Sequence, residues 1–148
     1  MNCRLQDEDP PRSPWWQTLC IVETVNCPFC SVPESRIIHG HPLAVVVRDA
    51  YPVAPGHTLV IPRRHVGSFF GLHRSEQAAM LSLLQQAWMD LEREFTPDGY
   101  TTGVNGGPAA GQTVPHVHMH LIPRHHGDVE DPRGGIRWVL PSKTRYWT

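Results

Sequence analysis

The segment His116-Val117-His118-Met119-His120-Leu121-Ile122 alternates histidine with an apolar residue through three repeats. A period of two belongs to a β-strand, whose successive side chains point to opposite faces. Three imidazoles therefore share one face, and Val117, Met119 and Leu121 share the other. The apolar face has an obvious use as core. The histidine face has no packing use, because three adjacent rings repel when charged and need partners when buried. One metal ion does not explain all three. Same-face neighbours are roughly 6.6 Å apart, so His116 and His120 are about 13 Å apart at the backbone, against metal–nitrogen bonds of about 2.0–2.1 Å. The rings must divide their labour. The plain alternative is an exposed edge strand with incidental histidines.

The rest of the chain supplies a frame for that strand. At 148 residues it is long enough for one domain with a real core. Residues 1–24 read as an N-terminal extension, because Asp7-Glu8-Asp9-Pro10-Pro11 is acidic, proline-broken and without apolar period. The domain proper is expected over 25–148. Leu43 to Val47 is a short β-branched apolar run, a strand buried on both faces. Two prolines and a glycine between Tyr51 and Gly56 make a turn, and His57 to Ile61 is its partner strand, stopped by Pro62. Ser75 is placed to cap a helix, with Glu76 in its first turn. Met80, Leu84, Ala87, Trp88, Leu91 and Phe95 then form an apolar stripe, ended by Pro97-Asp98-Gly99. A third strand is expected over Tyr100–Asn105, a glycine loop over 106–111, and a fourth strand from Val114 to Ile122, stopped by Pro123. This order gives an α+β fold with a mainly antiparallel sheet and one long helix. The segment 131–140 reads as ordered, given Ile136, Trp138, Val139 and Leu140.

Charge and composition remove several classes of function. A net charge of -1 argues against a general nucleic-acid surface, while leaving room for a small phosphorylated ligand. No run approaches the length of a membrane span, and no secretory leader is visible. Cys3, Cys20, Cys27 and Cys30 then read as reduced thiols of a cytoplasmic protein. A neutral imidazole is a nucleophile near pH 7 and can attack phosphorus. Gly106, Gly107 and Gly111 allow backbone N–H groups to form an anion nest beside it. Cys27-Pro28-Phe29-Cys30 admits three readings: half of a zinc site, a redox pair, or two packed thiols. Pro33 disfavours the helix that redox chemistry wants after the motif.

Gly111-Gln112-Thr113-Val114-Pro115-His116-Val117-His118-Met119-His120-Leu121-Ile122-Pro123-Arg124 resembles the signature of the histidine triad superfamily of nucleotide hydrolases and transferases. His57-Thr58-Leu59-Val60-Ile61-Pro62-Arg63-Arg64-His65 is similar to the family's other signature segment, and the likeness spans about residues 25–140. The resemblance implies that His118 is the nucleophile, forming a nucleotidyl-histidine that water then releases as a nucleoside monophosphate. It implies that His120 contacts the scissile phosphate and that His57 belongs to the same site. Asn105 would bond near the bridging oxygen, Gln112 and Thr113 would contact phosphate, and Asp49 would receive the ribose hydroxyls. Phe29 matches a region that contributes to the base pocket in relatives, with core packing as its other reading.

Some bacterial members resemble this chain in carrying Cys-x-x-Cys near the N-terminus. Their zinc set corresponds here to Cys27, Cys30, His65 and His116, a closed structural site that leaves His118 and His120 to the substrate. The branch with glutamine at the third triad position is disfavoured, because that position is His120. Dinucleoside polyphosphates are the favoured substrates, as in the fragile-histidine-triad and diadenosine tetraphosphate hydrolase types. Nucleoside phosphoramidates are the alternative within the family. Outside it stand a hydrolase with a zinc-activated water and a non-catalytic nucleotide-binding module. Arg137 and Trp138 are expected near the leaving group. Solvated loops are expected for His39, His41, His125 and His126. The family resemblance further implies a homodimer, for which the stripe around Trp88 is one candidate surface.

Overall fold

A computed structural model describes residues 27–147. The expected extension 1–24, its boundary at residue 25, and Cys3 and Cys20 lie outside the described residues. The elements are β1 (Ile37–Gly40), β2 (Ala44–Arg48), β3 (Thr58–Pro62), α1 (Arg74–Phe95), β4 (Gly99–Val104), β5 (Met119–Arg124) and a single-turn α2 (Pro141–Thr144). The five strands form one antiparallel sheet in the order β1-β2-β3-β5-β4. This is the α+β architecture the sequence predicts, with one long helix laid across the sheet. Among the described residues, no helix is long and apolar enough to cross a membrane.

Strand periodicity decides what each face buries. Val46, Val60, Met119 and Leu121 point toward α1 and pack with Met80, Leu83, Ala87 and Leu91. The intervening residues Val45, Val47, Leu59 and Ile61 point the other way and are covered by Phe29, Val32 and Ile37. Both faces of β2 and β3 are therefore buried, which is why these strands read as continuous apolar runs. Each such aliphatic side chain contributes about 1.5–3 kcal/mol by burial.

Several boundaries differ from the sequence reading. Ser75 is not the helix cap: α1 starts at Arg74, and Glu76 reaches back to the His73 N–H at 2.7 Å. The carboxylate of Glu76 is also held by two nitrogens of Arg64, at 2.8 and 2.7 Å, so the helix start is set by an ion pair whose carboxylate is buried. The helix ends at Thr96, whose φ of 44° is left-handed, just before Pro97. Pro123 does not stop β5. It lies beyond the stretch paired with β3, which ends at Leu121, and it pairs with Tyr100 on the other side. β1 carries no clear strand signal in the sequence, and its His39 is bound to Asp90 of α1 rather than solvated.

Candidate functional site

β5 begins only at Met119, so His116 and His118 lie on an extended lead-in segment outside the ladder. The alternation survives there. Val117 joins the helix-side core, and its N–H donates to the Val66 carbonyl at 2.7 Å. The histidine rings form a row on the opposite face. Ring centroids are 5.0 Å apart for His65 and His116, 5.0 Å for His118 and His120, and 5.2 Å for His120 and His57. Phe29 meets His118 edge-on at 4.9 Å while also packing against the sheet.

Backbone groups fix the proton on three of these rings, because a carbonyl only accepts and an N–H only donates. His118 Nδ1–H donates to its neighbour's carbonyl, that of His116, at 2.8 Å, which leaves His118 Nε2 with a bare lone pair. His116 Nε2–H donates to the Pro62 carbonyl at 2.8 Å and leaves its own Nδ1 bare. His57 Nδ1 accepts the Val53 N–H at 3.3 Å, so Nε2–H of His57 points at His120 Nδ1, 2.9 Å away. His120 then carries its proton on Nε2. Burial lowers the basicity of His57 and pushes His120 down to about 4, helped by the neighbouring histidines and opposed by Asp49. Both rings are therefore neutral at pH 7.

The bare Nδ1 of His116 faces two thiols, at 3.4 Å from Cys27 Sγ and 3.6 Å from Cys30 Sγ. His65 Nδ1 lies 3.1 Å from Cys30 Sγ. The four donor atoms all fall within 4.8 Å of one another. Tetrahedral sites with bonds of 2.0–2.3 Å have ligand-to-ligand edges of about 3.3–3.8 Å, so this Cys2His2 set fits a tetrahedral ion. Without an ion, the Cys30 thiol is pushed up to about 11 by burial and by Cys27, and His116 is pushed down to about 4, mainly by burial. A second trio, Asp49, His57 and His120, is equally compact. There His57 sits in the middle, with Asp49 3.4 Å from Nδ1 and His120 at the opposite ring nitrogen. The hydrogen bonds run from the Val53 N–H through His57 to His120, and the Asp49 carboxylate lies beside the accepting Nδ1 without bonding to it.

The remaining predicted residues divide. Asn105 follows the end of β4, half-buried, and among the described residues its side chain has no hydrogen bond. Thr113 is exposed beside the triad. Asp49 turns one oxygen to the Tyr51 N–H at 2.9 Å and the other toward His57. Gln112 is already employed. Its Oε1 accepts the Gly107 N–H and its Nε2 donates to the Gly67 carbonyl, both at 2.8 Å, so the side chain braces the glycine loop. The N–H groups of Gly107, Ala110, Gly111 and Gln112 all bond within that loop. Two of the three N–H groups expected in an anion nest, those of Gly107 and Gly111, are therefore taken up within the loop, where these left-handed glycines, at φ 83° and 82°, serve a tight turn.

Sequence reasoning missed the groups that set the tautomers: the Val53 N–H and the carbonyls of Pro62 and His116. Backbone groups leave no residue signal, and only the fold brings them to the rings. The stretch after β5 is ordered, as expected. Arg137 is bound to the carbonyls of Lys143 and Thr144, and the Trp138 indole donates to the Arg133 carbonyl at 3.0 Å. His126 is exposed and His125 half-buried, both near Asp98, and His41 is exposed.

Comparison with known proteins matches residues 31–127 to the HIT domain model. An uncharacterized HIT-like protein of Mycoplasma genitalium is 36% identical over 106 residues, covering 69% of this chain and 75% of that protein. The asymmetrical bis(5'-nucleosyl)-tetraphosphatase of Schizosaccharomyces pombe is 34% identical over 97 residues, covering 66% of this chain and 53% of that protein. Among solved structures, a Zn-bound histidine triad family protein from Mycobacterium smegmatis superposes with a TM-score of 0.63 at 30% identity, covering 70% of this chain and 78% of that one.

Proposed function

Because the chain belongs to the HIT domain family, we propose that it is a nucleotide hydrolase acting at the α-phosphorus of dinucleoside polyphosphates. The observation that carries this reading is the bare Nε2 of His118, held ready by the His118 Nδ1–H bond to the His116 carbonyl. The lone pair of Nε2 attacks phosphorus, and a nitrogen–phosphorus bond forms. The bond to the bridging oxygen breaks, and its electron pair leaves with the polyphosphate. The Nε2–H of His120, oriented through His57, donates to the phosphate and stabilises the charge that builds there. Water then attacks the same phosphorus, the nitrogen–phosphorus electron pair returns to His118, and a nucleoside monophosphate leaves. Support for the substrate class comes from the tetraphosphatase relative. On this reading Asp49 and Asn105 receive the nucleotide's ribose and bridging oxygen, Thr113 contacts phosphate, and Phe29 lies against the base.

Zinc is the ion proposed for Cys27, Cys30, His65 and His116. Four protein donors leave no open position, so it would be structural, tying the N-terminal Cys-x-x-Cys turn to the segment that carries His118. Two metal-binding thiols fit a reducing compartment such as the cytoplasm. A second copy of the chain is proposed against the free edge of β4 and the exposed side of α1. A hollow of about 390 Å3 between Leu81, Leu84, Trp88 and Tyr100 opens on that side.

The test is rapid-quench mass spectrometry with diadenosine tetraphosphate and, in parallel, adenosine 5'-phosphoramidate. A transient adenylyl adduct on His118 is expected with the first substrate. Turnover of both with no adduct would remove the covalent mechanism, and turnover of the phosphoramidate alone would move the substrate class.

A further inference from the structure

The four donors of Cys27, Cys30, His65 and His116 are not held equally, and the difference divides the cluster into two halves. One half is anchored. Cys27 is 7% exposed and His116 is fully buried, with its Nε2–H donated to the Pro62 carbonyl at 2.8 Å. That bond keeps Nδ1 turned toward the thiols, as metal-binding imidazoles are commonly fixed through their other nitrogen. The other half is loose. Cys30 is exposed. His65 turns Nδ1 to Cys30 Sγ at 3.1 Å, and its Nε2 is buried without a hydrogen-bond partner among the described residues. With Nδ1 given to the cluster, Nε2 carries the proton, and a buried N–H left unpaired costs free energy. Turning the ring out to water removes that cost, so His65 weakens the hold on its side of the cluster.

Two further features converge on Cys30. Its N–H donates to the Cys27 carbonyl at 3.1 Å, which closes a four-residue turn. Such a turn brings its first and fourth Cα atoms within about 7 Å, and a disulfide needs about 4.4–6.8 Å, so the two cysteines are placed to bond with one another. Cys30 also lines a hollow of about 80 Å3, together with Phe29, Val45 and Arg63. A water takes about 30 Å3 in the liquid, so the hollow has room for hydrogen peroxide. Arg63 is held through its Nε on the His41 carbonyl at 2.9 Å, and its terminal N–H groups can donate to a peroxide oxygen.

We propose that Cys30 is an oxidation site that opens the metal cluster: a hydroperoxide reaches it through this hollow, and the oxidised sulfur then closes a disulfide with Cys27 that releases the ion. The inference rests on the metal reading of these four residues. Cysteines bound to an ion are held as thiolates. The Cys30 sulfur attacks one peroxide oxygen. A sulfur–oxygen bond forms, the oxygen–oxygen bond breaks, and hydroxide leaves, so the sulfur is oxidised by two electrons and the peroxide is reduced. The Cys27 thiolate then attacks the Cys30 sulfur. A sulfur–sulfur bond forms, the sulfur–oxygen bond breaks, and a second hydroxide leaves. Two of the four ligands are then gone. The Pro62 bond still holds His116, whose carbonyl sets the His118 proton, so release removes a brace and not the nucleophile.

The test uses the full-length, zinc-loaded protein and hydrogen peroxide. Zinc release is followed with a chromogenic chelator, and the cysteines are mapped by peptide mass spectrometry after alkylation. Zinc is expected to leave in step with a disulfide between Cys27 and Cys30, with Cys3 and Cys20 outside the bridge. In brief alkylation without peroxide, Cys30 is expected to react about tenfold or more faster than Cys27. Zinc retained under peroxide, a disulfide that includes Cys3 or Cys20, or equal alkylation of Cys27 and Cys30 overturns the inference and leaves the metal reading intact. A protein that binds no zinc when offered it overturns both.

Discussion

The two compact clusters at the triad each hold two imidazoles and are organised in different ways. Cys27, Cys30, His65 and His116 turn four donor atoms toward one point. In the second, the His57 imidazole links the Val53 N–H to His120, with Asp49 3.4 Å from its accepting nitrogen. The first geometry suits an ion and the second passes a hydrogen bond from the backbone of Val53 to the edge of the substrate site. Proximity alone does not separate these roles. The direction of each lone pair does, and a backbone group sets that direction for the ring that matters in each cluster. His118 lies between them, tied to the first through the His116 carbonyl and facing His120 of the second.

The contrast breaks most sharply at His118 itself. His118→Ala is expected to lower release of nucleoside monophosphate by at least ~10³-fold, measured by steady-state product assay, with both clusters unaffected. His57→Ala leaves His120 without its orienting donor, and about a tenfold to hundredfold fall in kcat at unchanged metal content is expected, read by kinetics and elemental analysis together. Cys27→Ser acts on the other cluster. It should reduce bound zinc and lower the melting temperature by about 5–10 °C, with chemistry per folded molecule largely kept. Equal damage to turnover and metal content from both substitutions would mean that the two clusters are one site.

Smaller effects sharpen the picture. Gln112→Ala leaves the Gly67 carbonyl and the Gly107 N–H without their partner, and about 1–3 kcal/mol of stability should be lost in denaturant titration. Acid sensitivity follows from the relay. An unfolded histidine takes up its proton near 6.5, whereas folded His120 holds out to about 4 and folded His57 is lowered too. The unfolded chain therefore binds protons first on acidification. This contribution to stability is complete above about pH 6.5 and is lost as the pH falls toward about 4. His120→Asn should flatten the dependence of melting temperature on pH across that window.

Much of this was legible in the chain. The strict alternation at 116–122 carries its two faces even where the ladder has not begun, because Val117 is drawn into the same core as Met119 and Leu121. The run at β2 announced a strand buried on both sides, and Met80, Ala87 and Leu91 of the stripe on α1 pack as it implied, while its Trp88 stays 42% exposed. Other features were hidden for identifiable reasons. Ser75 looked like a cap, yet a carboxylate held by Arg64 from a distant loop moved the start to Arg74. Gln112 resembles a phosphate ligand, and the backbone groups of Gly107 in its own loop and of Gly67, 45 residues away, engage both ends of its amide. β1 is short and ordinary in composition, and it is a strand because β2 offers it an edge.

Sequence alone determined the inventory: which rings share a face, which thiols are spaced to act as a pair, and where strands and helix alternate, all consequences of local periodicity. Tertiary structure alone decided the protons. The Pro62 carbonyl lies 54 residues from His116, and no local pattern records that meeting. Only the packed sheet holds such groups at hydrogen-bond distance, and there they settle which nitrogen of each histidine is free to act.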